Sequence, residues 1–212
     1  MLTRRDSYKQ TDAKIALLGS RHVGKSAIAV RFLTKRFIGE YDSSQDFTYQ
    51  FTATIDDDQV NLEILDPGPE STGESSLESR TLWADGLVLV YSITDRKSFE
   101  EVRDLHNLLI PFKQKIVVMI VGNKSDLEHE RQVSKTEGYS LAEIFKCMFV
   151  ECSASDGYPK VAEVFHELYR EVLKRKKDRR MSLSPRPLRA LGKVFRRNSS
   201  KNLLLAPGSP SL

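Results

Sequence analysis

Apolar positions along this chain alternate between two rhythms. Lys14 to Leu18 is a short apolar run that stops at Gly19, the pattern of a buried strand entering a turn. In Lys25 to Phe37, Ile28, Phe32 and Leu33 recur at helical spacing. Phe47 to Ile55 and Val60 to Leu65 flank Asp56-Asp57-Asp58-Gln59, which predicts a hairpin. Gly86 to Ile93 and Ile116 to Val121 are rich in β-branched residues and almost wholly apolar, as expected of parallel strands covered on both faces. Helical spacing returns in Ser98 to Phe112, Ser134 to Lys146 and Lys160 to Lys174, and Phe149 to Cys152 reads as a last short strand. The alternation predicts an α/β fold in three layers: a six-stranded, mostly parallel sheet with one antiparallel edge strand, and helices on both faces.

The rhythm breaks after about Lys174. It divides the chain into a short extension (1–12), a domain (13–174) and a tail (175–212) expected to be disordered. Charge sharpens that division. The chain's net charge is +4, yet residues 174–212 carry twelve Lys or Arg against Asp178 alone, so the rest sums to −7. Within the tail, Leu188, Leu191, Val194 and Phe195 would share one face of a short helix. The 40% hydrophobic content supports a packed core, and no apolar run is long enough to span a membrane. Two cysteines, Cys147 and Cys152, offer neither a disulfide framework nor zinc-ligand spacing. A reduced, cytoplasmic setting is expected.

The first candidate chemistry follows the first strand. Gly19-Ser20-Arg21-His22-Val23-Gly24-Lys25-Ser26 is a G-x-x-x-x-G-K-[ST] phosphate loop that opens a predicted helix, where backbone N–H groups and the helix dipole favour a polyanion. Lys25 would reach the β- and γ-phosphates, and the Ser26 hydroxyl would ligate Mg²⁺. His22, Val23 and Ala27 complete the cradle.

A second element specifies the base. Asn123-Lys124-Ser125-Asp126 follows the strand Ile116 to Val121, at the sheet edge where ligands of α/β proteins bind. The Asp126 carboxylate can accept from guanine N1–H and the exocyclic amino group, a donor pair that adenine lacks.

On these motifs the segment from Lys14 to about Lys174 resembles the Ras superfamily of small GTPases, and hence a phosphate-loop G domain binding GTP or GDP with Mg²⁺. The resemblance assigns Ser153 and Ala154, in Glu151-Cys152-Ser153-Ala154-Ser155, to the loop that meets the guanine oxygen. The family has Lys at the position of Ser155, so an apolar stem that packs on the base is missing. Phe37 matches an aromatic that stacks on guanine; from sequence alone a core aromatic at a helix end fits as well. Asp66 matches the residue that holds the metal through water, and Ser44 the metal-binding hydroxyl of the first switch segment. Arg31 to Asp42, with Trp83-Ala84-Asp85-Gly86, most resembles the subgroup around Ras-related oestrogen-regulated growth inhibitor.

The pattern departs from the family where the γ-phosphate is sensed and cleaved. Its Asp-x-x-Gly-Gln stands here as Asp66-Pro67-Gly68-Pro69-Glu70. Pro69 has no N–H to give the phosphate, and a one-residue slip to Gly68 is restricted by the flanking prolines. Glu70 replaces the water-orienting Gln and would sit beside a polyanion. Arg21 and His22 stand where the family has glycines; Arg21 obstructs an activating arginine, supplies its own charge, or simply faces solvent. The catalytic candidates are therefore Lys25, Arg21 and Glu70, and slow hydrolysis is expected. A nucleotide-holding adapter without turnover is the alternative.

The chain ends Gly208-Ser209-Pro210-Ser211-Leu212 without a prenylation cysteine, so no prenyl anchor is expected. The basic tail fits an anionic membrane, nucleic acid or a nuclear address, and the sequence leaves these open. Phosphorylation at Ser199, after Arg196-Arg197, would weaken any such attachment. A monomer is expected, and effectors are not legible.

Overall fold

A computed structural model describes residues 11–38, 45–68, 74–112 and 115–183. The strands are β1 (Ala13–Leu18), β2 (Phe47–Ile55), β3 (Asp58–Asp66), β4 (Gly86–Ser92), β5 (Val117–Asn123) and β6 (Met148–Glu151). The α-helices are α1 (Lys25–Thr34), α2 (Glu74–Trp83), α3 (Arg96–Leu109), α4 (Lys135–Phe145) and α5 (Tyr158–Leu183). They form one six-stranded sheet in the order β2-β3-β1-β4-β5-β6, with β2 antiparallel to β3 and the other pairs parallel.

Burial explains the pattern. Every residue of β4 and β5 is buried, because helices cover both faces of the sheet's centre. Edge strand β2 alternates exposed and covered positions along most of its length, as a strand with one solvated face must. On one face, Ile28 and Phe32 of α1 pack with Val161, Phe165 and Leu168 of α5, and the Phe32 and Phe165 rings stack 4.0 Å apart. On the other face, Phe99 and Val102 of α3 join Leu141 and Phe145 of α4, with Leu77 and Trp83 of α2 against them.

Local signals set the helix starts. Asp95 caps α3 by accepting from the N–H groups of Lys97 and Ser98, and Ser134 with Glu137 forms a capping box on α4. Two helix ends differ from the periodicity. Helix α1 stops at Thr34, where Lys35 turns left-handed at φ 60°, so Phe37 lies beyond it. Helix α5 continues past Lys174 to Leu183, so the start of the charge run is helical.

The reason for that continuation is visible in the compact unit Met1–Lys177. Arg175 donates to the Ile116 carbonyl, and Lys176 contacts both the Asp12 carbonyl (2.9 Å) and Asp85 (2.7 Å). Two cations of the run thus fasten the helix to the sheet. Of the second unit, Asp178–Leu212, the described residues 178–183 are helical. The amphipathic segment Leu188 to Phe195 and Ser199 lie outside the described residues.

Candidate functional site

The loops that leave β1, β3 and β5, together with the segment after β6, surround a cavity of about 670 Å³. This is the carboxyl edge of the parallel strands, as the sequence predicts. Arg21, His22, Gly24, Lys25, Ser26 and Ala27 line it from the phosphate loop, and Asn123, Lys124, Asp126, Leu127, Ala154 and Ser155 from the base loops. Phe37 and Pro67 close the remaining wall. Phe37 is 49% exposed, which excludes the core reading of that aromatic.

The phosphate loop has its shape because two glycines permit it. Gly19 sits at φ 141°, where a Cβ would come within 2.1 Å of the Val90 carbonyl oxygen. Gly24 sits at φ 95°, where a Cβ would meet the Asn123 amide at 2.3 Å. His22 also adopts a left-handed φ of 62°, which costs a non-glycine residue about 1 kcal/mol. Arg21 does not share that conformation, and both side chains are exposed.

Asn123 organises the base side. It is 2% exposed; its Nδ2 donates to the Val23 carbonyl at 2.8 Å, and its Oδ1 accepts from the Ala154 N–H at 3.2 Å. One side chain thereby fastens the phosphate loop, the β5 loop and the Ser153-Ala154 loop together. The Asp126 carboxylate accepts from the Ser155 hydroxyl at 2.9 Å. Burial opposes its ionisation, but hydrogen bonds from the Ser153 and Ser155 hydroxyls, together with its own backbone N–H and the Lys124 charge, outweigh that and hold its pKa below the ordinary value. An ionised Asp126 is acceptor-only, which suits a ligand edge presenting two donors.

Charge is arranged differently on the phosphate side. Lys25 Nζ donates to the carbonyls of Gly19 (2.9 Å) and Ser20 (2.8 Å), so it lies inside the loop. Burial is the main cause of its lowered pKa; Asp66 opposes the shift, while the Arg80 and Arg21 charges add to it. Asp66 is 3% exposed, and burial raises its pKa against the Ser26 hydrogen bond and the Lys25 charge. Its Oδ1 is buried without a hydrogen-bond partner. That orphaned carboxylate oxygen beside a hydroxyl fits a divalent cation. Among the described residues no cluster of three His, Cys, Asp or Glu could hold a metal by itself. The combination suits Mg²⁺, which takes few protein ligands and completes its shell with water and phosphate oxygens.

Other contacts were not foreseen from the sequence. Arg80 of α2, 8% exposed, reaches Asp46 just before β2 at 3.0 and 3.2 Å. Gly68 N–H donates to the same carboxylate at 2.8 Å, and a Cβ on Gly68 would lie 2.7 Å from the Gln45 backbone. The N–H proposed as a substitute for the one Pro69 lacks is therefore occupied by Asp46. The Ser20 hydroxyl donates to Glu101 of α3, bracing the loop from a second side. Ser44, Pro69 and Glu70 lie outside the described residues.

Comparison with known proteins agrees with this geometry. The Ras family model matches residues 14–174. The chain is 47% identical over 199 residues to human (Homo sapiens) Ras-related and estrogen-regulated growth inhibitor, covering 91% of this chain and 99% of that protein. It is 43% identical over 189 residues to Ras-like protein family member 11A of Rattus norvegicus, covering 83% of this chain and 78% of that one. It is also 40% identical over 167 residues to the GTP-binding protein Rit1 of Mus musculus, covering 78% and 76% respectively. A phosphate loop, a guanine-type reading loop and a six-stranded sheet, matched over the whole domain, place this chain in the Ras family of small GTPases.

Proposed function

We propose that this chain binds GTP and GDP with Mg²⁺ and acts as a slowly hydrolysing signalling switch. The observation that carries the reading is Asn123, whose buried amide fastens three loops around one cavity, with Asp126 on the base side and Lys25 on the phosphate side. Guanine would meet Asp126 and the Ala154 N–H side of the cavity, with Phe37 and Lys124 along its faces. Phosphates would replace the carbonyl contacts of Lys25 and supply the counter-charge that burial denies it. Ser26 and Asp66 would hold Mg²⁺, which neutralises charge on the phosphate oxygens; Ser44 is the further hydroxyl that the family pattern offers.

Slow turnover follows from the second switch segment. Gly68 N–H is committed to Asp46, and the next residue, Pro69, has none. Neither Gly68 nor Pro69 then has a free backbone N–H to offer the γ-phosphate. Glu70 remains the candidate for the attacking water, with Arg21 at the cavity mouth. A second reading, a nucleotide-holding adapter, draws on the same two residues, since a fixed switch would not report which nucleotide is bound. Single-turnover hydrolysis by the purified chain separates them. Slow phosphate release above the buffer rate, abolished by Lys25→Ala, supports the switch; retained GTP with no release supports the adapter.

The basic residues beyond the fastened Arg175 and Lys176 are proposed to make reversible contact with an anionic surface, worth about 1 kcal/mol per cation at a membrane.

A further inference from the structure

Asp126 presents an unusual problem for a selectivity residue. It is exposed, on a loop, and must hold both carboxylate oxygens in one plane to pair with two donors. A free carboxylate there would turn broadly about its last bond. The structure shows what prevents it. Ser155 Oγ lies 2.9 Å from Asp126 Oδ2, and Ser153 Oγ lies 3.0 Å from Ser155 Oγ. The Asp156 N–H in turn donates to Ser153 Oγ at 3.0 Å. Because an ionised carboxylate only accepts, Ser155 must donate to it; the Ser155 oxygen then takes its own hydrogen bond from Ser153. Donors therefore run from the Asp156 backbone through Ser153 and Ser155 to Asp126, with the Ser153 hydroxyl shared between Ser155 and the Asp126 carboxylate itself. Ser153 is 4% exposed and fixed at the start of that chain, while Ser155 is exposed at its end.

We propose that Ser155 is a positioning residue for base selection: it sets the rotation of the Asp126 carboxylate, so that guanine is preferred over bases offering a single donor. The inference rests on the guanine-nucleotide reading above. It departs from the expectation that Ser155 merely removes packing from the base, because the short hydroxyl reaches the selecting carboxylate directly. Both hydroxyls also favour the ionised carboxylate, which keeps it acceptor-only. Two-point pairing needs a fixed plane, whereas a one-point hydrogen bond tolerates rotation. Loss of the anchor therefore weakens guanine more than hypoxanthine, which lacks the exocyclic amino group.

The test compares GDP, IDP and ADP binding to the full chain, Ser155→Ala and Ser155→Thr, with Mg²⁺ present. Wild type is expected to rank GDP above IDP above ADP. Ser155→Ala should lose about tenfold in GDP affinity, the scale of one hydrogen bond to a charged group, with a smaller loss for IDP. The GDP-to-IDP ratio shrinks accordingly, and Ser155→Thr restores it. A ratio unchanged in Ser155→Ala, or a Thr variant as defective as Ala, overturns the role of Ser155 while leaving guanine binding intact. A wild type that does not prefer GDP to ADP overturns the inference together with the reading beneath it.

Discussion

The side-chain amide of Asn123 donates to the backbone carbonyl of Val23 at 2.8 Å, a contact spanning one hundred positions of sequence. It occurs where Gly24 lacks a Cβ, since an added methyl would fall 2.3 Å from that same amide nitrogen. Base loop and phosphate loop are thus held at a fixed separation through an absent side chain. Asn123→Ala leaves the Val23 carbonyl and the Ala154 N–H without their buried partner, at a cost of about 1–3 kcal/mol for each unsatisfied group. The expected result is a lower denaturation midpoint by chemical unfolding, together with loss of bound nucleotide. A variant as stable as wild type that retains nucleotide would remove Asn123 from its central place.

Asp126→Asn replaces an acceptor-only group with an amide. It should prefer xanthine nucleotides, whose additional ring carbonyl pairs with an amide donor. Competition between GDP and XDP on the purified variant measures this. Continued preference for GDP would show that base selection lies elsewhere.

Asp66 makes an opposite pair of predictions for stability and for binding. Its folded pKa is raised, mainly by burial. The folded state therefore holds its proton more tightly than the unfolded chain, and stability falls as pH rises from the ordinary carboxylate value through the raised one. Above the raised value the nucleotide-free protein bears that penalty in full. Asp66→Asn should stabilise the nucleotide-free form by an amount on the order of 1 kcal/mol, seen as a higher melting temperature, and flatten its acid-range stability profile. The same variant should lose the Mg²⁺ dependence of nucleotide affinity. A destabilised empty form would mean that the unpartnered oxygen is satisfied by bound solvent.

Arg80 couples helix α2 to the segment before β2, through its two hydrogen bonds to Asp46. Both hydrogen bonds leave one guanidinium nitrogen, Nη2, so Arg80→Lys keeps a charged donor and should be affected less than Arg80→Ala. Both are expected to lower stability by about 1–3 kcal/mol, as for charge-assisted hydrogen bonds, and to speed release of a fluorescent GDP analogue. Release rates matching wild type in both variants would confine the pair to local packing.

Much of the fold was legible because burial on both faces leaves a plain mark. The apolar runs that became β4 and β5 are buried along their whole length, and the base-reading motif stands at the carboxyl end of β5. The antiparallel edge was legible from the acidic turn at Asp56-Asp57, where both residues take left-handed φ angles. Helix ends were less so. Nothing in the spacing of Lys25 to Phe37 announces that Lys35 turns left-handed, and a charge run such as Lys174 to Arg180 looks like tail until Arg175 and Lys176 are seen fastened to carbonyls and Asp85.

The site divides in the same way. Candidates marked by a local motif, Gly24, Lys25, Ser26, Asn123 and Asp126, were legible from spacing and line one cavity. Residues whose role depends on distant partners were not. Arg80 is an arginine in a largely polar helix, and only its burial and the Asp46 carboxylate, thirty-four positions away, distinguish it. Ser155 looked like a loss by comparison with a lysine, because a substitution shows what is removed and not what the new hydroxyl reaches.

The central claim, that this cavity holds guanine nucleotide, is tested most directly by identifying what the protein already carries. The full chain is purified gently with Mg²⁺, denatured, and the released small molecules are resolved by chromatography. The account predicts close to one guanine nucleotide per chain, as GDP or slowly turned-over GTP, and none from Lys25→Ala. An adenine nucleotide in its place, or an empty wild-type site that also fails to take up added GDP, would contradict it.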